Sequence, residues 1–152
     1  MEEKITQPIT ENLWWVIPDK LAGVRKPTEE ELPELQKLGI GAIVSVMDDP
    51  SNLELYEQAN LPHLWLPIKG GTAPSREQVQ KLQDFIDSQN NGVAIHCTNG
   101  KRRTATALAG YLIISGSSYD EAMEIILTAN SEIDLRESQS SFLQTLAKNS
   151  LV

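Results

Sequence analysis

The chain has 152 residues, a formal net charge of −8 at pH 7 and a single cysteine. The acidic balance argues against nonspecific nucleic-acid binding, because that binding depends on lysine and arginine side chains neutralising phosphates. A lone cysteine cannot form an internal disulfide, and the acidic start and lack of a long apolar run argue against a secretion signal or membrane insertion, so we expect a cytoplasmic protein.

Apolar periodicity and capping signals predict alternating strands and helices along the chain. Strands are predicted near residues 13–17, 21–24, 42–46, 63–66 and 93–96, and helices near 31–38, 53–59, 76–89, 103–115, 119–129 and 137–148. Ser75 and Ser118 each open a capping box, which places the starts of two of these helices. We therefore predict one α/β domain over residues 1–152, with a central, mostly parallel sheet and helices on both faces.

The segment that follows the last predicted strand carries the residues with the clearest chemical role. Residues 96–104 read HCTNGKRRT and connect an apolar strand to an apolar helix. Backbone N–H groups of such a loop converge on an anion, and the helix N-terminus adds partial positive charge. We predict a phosphate-binding loop with Cys97 at its base, whose substrate contacts are His96, Thr98, Asn99, Gly100, Lys101 and Arg102.

Three residues of this loop are candidates for catalysis. The helix N-terminus and the neighbouring cations favour the thiolate form of Cys97, which is a competent nucleophile. Arg103 can present a planar fork to two phosphate oxygens, and Thr104 can donate its hydroxyl to the thiolate. His96 is expected to orient the loop through hydrogen bonds rather than to act as a base. The alternative for Cys97, a buried inert side chain, is disfavoured by Gly100 and Arg103 beside it.

The pattern H-C-x-x-G-x-x-R-[ST] in residues 96–104 resembles the signature of the cysteine-dependent protein tyrosine phosphatases. Residues 14–23, 38–46 and 64–67 resemble, in the same order, the small atypical dual-specificity phosphatases of that superfamily. The resemblance implies hydrolysis of a phosphorylated protein or a small anionic phosphate ester through a phosphocysteine intermediate. The two histidines are far apart and show no Cys/His ligand spacing, so we expect neither a metal nor a cofactor, and the sequence does not indicate an oligomeric state.

The sequence departs from this family at the position of the general acid. The resemblance implies an aspartate within about three residues of Pro67, yet residues 68–74 contain no carboxylate. General acid catalysis is typically worth about 10²–10⁴-fold, so we expect a slower enzyme. Asp48 and Asp49, after a predicted strand, and Asp134, before the last helix, are alternative acids. Each is otherwise a turn former or a helix-start charge.

Two classes of function remain open at this point: a cysteine phosphatase, and a pseudo-phosphatase that binds phosphate without turning it over. Lys101 also resembles the phosphoinositide-directed members of the superfamily, so a phosphoinositide or inositol phosphate is an alternative substrate. An arsenate reductase is disfavoured, because that chemistry needs resolving thiols and the chain has one cysteine.

Overall fold

The computed structural model describes residues 7–150, and every predicted strand and helix is present in it, with boundaries within two residues of those predicted. The strands are β1 (Trp14–Ile17), β2 (Leu21–Val24), β3 (Ile40–Ser45), β4 (His63–Trp65) and β5 (Gly92–His96). The helices are α1 (Ile9–Asn12), α2 (Leu32–Lys37), α3 (Leu53–Gln58), α4 (Arg76–Ser88), α5 (Arg102–Ile114), α6 (Tyr119–Ala129) and α7 (Glu137–Ser150), with a 3₁₀ turn at Glu29–Glu31. The short helix α1 is an addition to the prediction.

The five strands form one sheet in the order β1-β2-β5-β3-β4. Strand β1 runs antiparallel to β2, and the other neighbouring pairs are parallel, which confirms a mostly parallel sheet. His96, at the carboxyl end of β5, is in register with Val24 of β2 and Ser45 of β3. The loop after β5 therefore leaves the middle of the sheet at the edge where α/β proteins bind ligands.

Helices cover both faces of this sheet, as predicted. One face packs Ala94 and its neighbours against α1, α2 and α3. The other face packs Val93 and Ile95 against α4, α5, α6 and α7. Because side chains alternate along a strand, consecutive residues of β5 face opposite cores. Cys97 continues the second of these cores, whereas His96 faces the first.

Helix α5 lies at the centre of the helical layer that packs next to the candidate loop. Its residues 104–113 are all buried, so it is enclosed by α4, α6 and α7 rather than lying on the surface. This enclosure holds the start of α5 rigidly beside Cys97. Among residues 7–150, no helix is both long enough and apolar enough to cross a membrane.

Candidate active site

The loop between β5 and α5 packs closely against the end of β2 at Gly100, where any side chain would clash with the backbone. Gly100 has a φ of +72°, and a Cβ there would lie 2.4 Å from the carbonyl carbon of Val24. Its carbonyl oxygen accepts a hydrogen bond of 3.3 Å from the indole of Trp14. The carbonyl of Thr98 accepts another, of 3.2 Å, from the backbone N–H of Lys26. The loop is thus held against the neighbouring strands before any ligand binds.

Cys97 lies at the base of this loop with its sulfur hydrogen-bonded. Only 4% of the residue is exposed, and Thr104 Oγ1 donates to Cys97 Sγ over 3.1 Å. Thr104 is itself fully buried in the first turn of α5. Cys97 lines a cavity of about 530 Å³. A hydrogen bond of this kind stabilises negative charge on sulfur, which suits both a nucleophile and a leaving group.

Arg103 is held in place by the segment that follows β4. Its Nη1 donates to the carbonyl of Ile68 over 2.9 Å, and its Nη2 lies 3.5 Å from Thr98 Oγ1. Asp48 Oδ1 lies 3.6 Å from Nη1. The guanidinium is mostly buried and borders the same cavity as Cys97. Its position is therefore set by neighbours on three sides before an anion arrives.

His96 is part of a buried hydrogen-bond chain and does not line the cavity. Asn52 Nδ2 donates to Tyr56 Oη over 3.0 Å, and Tyr56 Oη lies 2.8 Å from His96 Nε2. Burial raises the pKa of Tyr56, so its hydroxyl stays protonated. This hydroxyl donates a hydrogen bond to Nε2, because the proton of the neutral ring is on Nδ1, which faces a carbonyl. His96 Nδ1 then donates to the Cys97 carbonyl over 3.2 Å. Burial lowers the pKa of His96 to about 4, so the ring is neutral and orients the loop.

The cavity brings together part of the predicted site. Its lining is Gly70, Gly71, Cys97, Asn99, Lys101, Arg102, Arg103, Glu132, Asp134 and Arg136. Of the predicted substrate contacts, Asn99, Lys101 and Arg102 line the cavity, whereas His96, Thr98 and Gly100 do not. Thr98 contacts the cavity wall through Arg103, whose Nη2 lies 3.5 Å from Thr98 Oγ1. Lys101 Nζ lies 3.3 Å from Glu132, and Arg102 Nε donates to the Asp134 carbonyl over 2.8 Å.

The three alternative acids occupy different positions around this cavity. Asp134 lines it, whereas Asp48 lies outside the lining, beside Arg103. Asp49 is hydrogen-bonded to the hydroxyl and the backbone N–H of Ser51, and these bonds hold the pKa of its carboxyl below the usual range. The segment after β4 presents Gly70 and Gly71 to the cavity in place of a carboxylate.

Sequence reasoning missed four residues of the cavity wall, namely its two glycines and two charged residues, and one residue that supports the wall. Glu132 and Arg136 line the cavity from the connection between α6 and α7. Gln139 is fully buried and donates to the carbonyl of Thr72 over 3.1 Å. No local motif marks Glu132 or Gln139, because their partners Lys101 and Thr72 lie far away in the sequence, and no local motif places Arg136 at the cavity. Within residues 7–150, no group of three histidine, cysteine or acidic residues could hold a metal ion.

A strand-loop-helix phosphate cradle with a buried cysteine at its base defines the class of cysteine-dependent phosphatases, and comparison with solved structures agrees. The structure superposes on the crystal structure of Tk-PTP in its active form with a TM-score of 0.82, at 27% sequence identity, covering 90% of this chain and 97% of that one. Residues 19–117 match the family described as "Polymorphic toxin system, DSP-PTPase phosphatase". The chain belongs to this family, within the cysteine-dependent protein tyrosine phosphatase superfamily.

Curated relatives carry phosphatase names. The phosphatidylglycerophosphate phosphatase PTPMT2 of Arabidopsis thaliana is 25% identical over 144 residues, which is 89% of this chain and 63% of that protein. The tyrosine-protein phosphatase yvh1 of Schizosaccharomyces pombe is 33% identical over 90 residues, 57% of this chain and 26% of that protein. The chain thus spans less than two thirds of the length of these relatives.

Proposed function

We propose that this protein hydrolyses phosphate monoesters through a covalent phosphocysteine intermediate. The observation that carries the proposal is the hydrogen bond of 3.1 Å from Thr104 to the sulfur of Cys97 at the base of the cavity. The sulfur attacks phosphorus, a sulfur–phosphorus bond forms, and the ester oxygen leaves with the electrons of its broken bond. Arg103 and the loop N–H groups stabilise the equatorial oxygens. Water then attacks phosphorus, and phosphate leaves as the thiolate is regenerated.

The first prediction is that turnover depends on Cys97 and Arg103 and needs no metal. The purified protein should hydrolyse para-nitrophenyl phosphate, and Cys97→Ser should eliminate turnover while leaving anion binding. Arg103→Lys should also fail, because a point charge cannot reproduce the planar fork. Activity should persist in a chelator. Undiminished turnover in Cys97→Ser, or complete loss with the chelator, would contradict the mechanism.

A second candidate function is a phosphate-binding pseudo-phosphatase. The observation that favours it is the pair of glycines, Gly70 and Gly71, where a proton donor would be expected. The same assay separates the two functions. A wild-type protein that binds inorganic phosphate, releases no nitrophenol and behaves like Cys97→Ser would be a binding module.

We further propose that turnover proceeds without a dedicated proton donor. Without proton donation, the barrier depends on how well the leaving oxygen carries negative charge, so aryl phosphates should react faster than alkyl phosphates such as phosphoserine. Of the three alternative acids, Asp134 has the best placement for protonating a leaving group, because it shares the cavity with Cys97.

The second prediction tests this leaving-group dependence through the pH profile. Wild-type kcat/KM should lack an alkaline limb, and Asp48→Asn, Asp49→Asn and Asp134→Asn should each leave the shape of the profile as it is. A bell-shaped wild-type profile whose alkaline limb vanishes in one variant would identify that residue as the acid and refute acid-independent turnover.

The substrate class proposed is that of multiply anionic phosphate esters. Its support is the positive charge that Lys101 and Arg102 add to the cavity wall in a chain with a net charge of −8. The relative PTPMT2 is named for phosphatidylglycerophosphate, which carries a phosphodiester in addition to its terminal phosphate. A phosphoinositide or inositol phosphate has the same multiply anionic character, and a singly phosphorylated tyrosine has less of it.

A further inference from the structure

Arg136 is a cation of the cavity that the mechanism above does not use. Its side chain is exposed and lines the cavity together with Cys97. Lys101, Arg102 and Arg103 each have an acceptor for their charged groups, namely Glu132, the Asp134 carbonyl and the Ile68 carbonyl. Within residues 7–150, the guanidinium of Arg136 makes no hydrogen bond or ion pair, so all its donors are available to a ligand.

The surroundings of Arg136 fix its backbone and leave room for its side chain. Its N–H donates to Gln139 Oε1 over 2.9 Å, and its carbonyl accepts from the N–H groups of Gln139 and Ser140 at the start of α7. A Cβ at position 71 would lie 3.6 Å from Arg136 Nε, so the guanidinium lies close against Gly71. Because Gly70 and Gly71 have no side chains, the cavity wall leaves space beside the guanidinium of Arg136.

The cavity is lined by four cationic side chains and two carboxylates, Glu132 and Asp134, so its cations outnumber its anions and exceed what one phosphate group needs. Arg103 and the loop N–H groups are sufficient for the phosphate that Cys97 would attack. Lys101 is held only by an ion pair with Glu132 in which both side chains are more than half exposed, and such a pair is weak. Arg102 uses its Nε for the Asp134 carbonyl, and no described contact occupies its two terminal nitrogens. Among the described residues, none makes a hydrogen bond or an ion pair with the guanidinium of Arg136.

We propose that Arg136 is a specificity-determining residue that binds a second anionic group of the substrate, assisted by Arg102. The substrates are then phosphate monoesters that carry a further phosphate or phosphodiester on a short linker. The role of Arg136 in substrate specificity rests on the proposed phosphatase function, but the binding of a second anion at Arg136 does not require turnover. A lipid headgroup and a soluble bisphosphate share this chemistry.

Binding in the Cys97→Ser background tests the second anion directly. Methylphosphonate is compared by calorimetry with bisphosphonates in which one to four methylene groups separate the two phosphonates. At least one bisphosphonate should bind about tenfold more tightly than methylphosphonate, and Arg136→Gln should bring this ratio close to one. Arg136→Lys should retain part of it, because a charge remains without the planar fork.

Arg76→Gln is the matched control, because it removes the same charge from an exposed arginine at the start of α4 that does not line the cavity. It should keep the full bisphosphonate preference. An equal ratio in Arg136→Gln and Arg76→Gln, or no preference in the parent, would overturn the proposal. An Arg136-dependent preference in a protein whose wild type has no turnover would instead refute the proposed function and leave this inference standing.

Two further measurements on the otherwise wild-type enzyme separate the sources of the second anion. One uses inositol 4,5-bisphosphate in solution, and the other uses phosphatidylglycerophosphate in phosphatidylcholine vesicles. Arg136→Gln should raise KM about tenfold for the matching source, and Arg76→Gln should not. A larger increase with the vesicles assigns a lipid headgroup, and a larger increase with the soluble ester assigns a free bisphosphate. No increase with either would overturn the proposal.

Discussion

Gly70 is the residue at which one substitution tests the missing proton donor. It lines the cavity with Cys97, and a Cβ added there meets no atom within 4 Å. Its φ lies outside the left-handed region, so a side chain is accommodated without backbone strain. The third prediction is that Gly70→Asp raises kcat/KM for alkyl phosphates by about tenfold or more, because a general acid is typically worth 10²–10⁴-fold. A pH profile of the variant should gain an alkaline limb.

Two variants control for shape and for position. Gly70→Asn has nearly the shape of the aspartate without its proton and should give no gain. Gly71→Asp places the carboxyl one residue further on, at a φ of +81° that L-residues adopt only at a cost of roughly 1–2 kcal/mol. A gain in Gly70→Asn equal to that in Gly70→Asp would show that the effect is not proton donation.

The start of α7 supports the loop after β4, whose Gly70 and Gly71 line the cavity with Cys97. Gln139 is fully buried, donates to the Thr72 carbonyl and accepts from the N–H of Arg136. The fourth prediction is that Gln139→Ala lowers the free energy of unfolding by about 1–3 kcal/mol, because two backbone groups lose their partner. Urea unfolding measures this loss. It should be accompanied by a larger KM for bisphosphates, since Arg136 loses its support.

Ser138→Ala is the natural control for this prediction. Ser138 also lies at the start of α7, and its Oγ donates to the Gly71 carbonyl over 2.9 Å, but the residue is exposed. Water can replace that bond, so its loss should change the free energy of unfolding by less than about 1 kcal/mol. Equal losses in the two variants would show that burial of Gln139 does not matter.

The elements could be predicted from the sequence wherever a local signal marks them. The capping boxes at Ser75 and Ser118 are present in the structure, and α4 and α6 begin one residue after them. Helix α1 has four residues and no side-chain cap, so it leaves no periodic pattern to detect. The support of the cavity by Gln139 could not be predicted, because its partner Thr72 is 67 residues away. The phosphate-binding loop is local, and its placement follows from one strand and one helix.

Strand β5 lies between the two cores, and the two residues at its carboxyl end, His96 and Cys97, face opposite cores and have different roles. Cys97 belongs to the core packed by α4, α5, α6 and α7, where it meets the cavity. His96 faces the other core and bonds to Tyr56 of α3. The core packed by α1, α2 and α3 thereby fixes the backbone that positions the sulfur. A change in the protonation of His96 should therefore affect the stability of the whole fold as well as the geometry of the loop.

The last prediction is that stability falls in mild acid because of His96. Burial lowers its pKa to about 4 from an ordinary value of 6.5. Between pH 6.5 and 4 the unfolded chain binds a proton at this position that the folded chain does not, so the free energy of unfolding decreases as pH falls. This difference in pKa lowers the free energy of unfolding by about 3 kcal/mol between pH 6.5 and 4. Urea unfolding at a series of pH values measures the slope.

His96→Asn should flatten that slope, since asparagine does not titrate. Glu31 offers the control: the bidentate hydrogen bonds from Arg25 hold the pKa of Glu31 below its ordinary value of 4.5. The stability from that pair is fully present above pH 4.5 and is lost only as pH falls further, through the lowered pKa. Glu31→Gln should therefore reduce stability at neutral pH yet preserve the slope between pH 6.5 and 4.5. A wild-type protein whose free energy of unfolding is constant across that window would contradict a neutral, buried His96 as the support of the Cys97 loop.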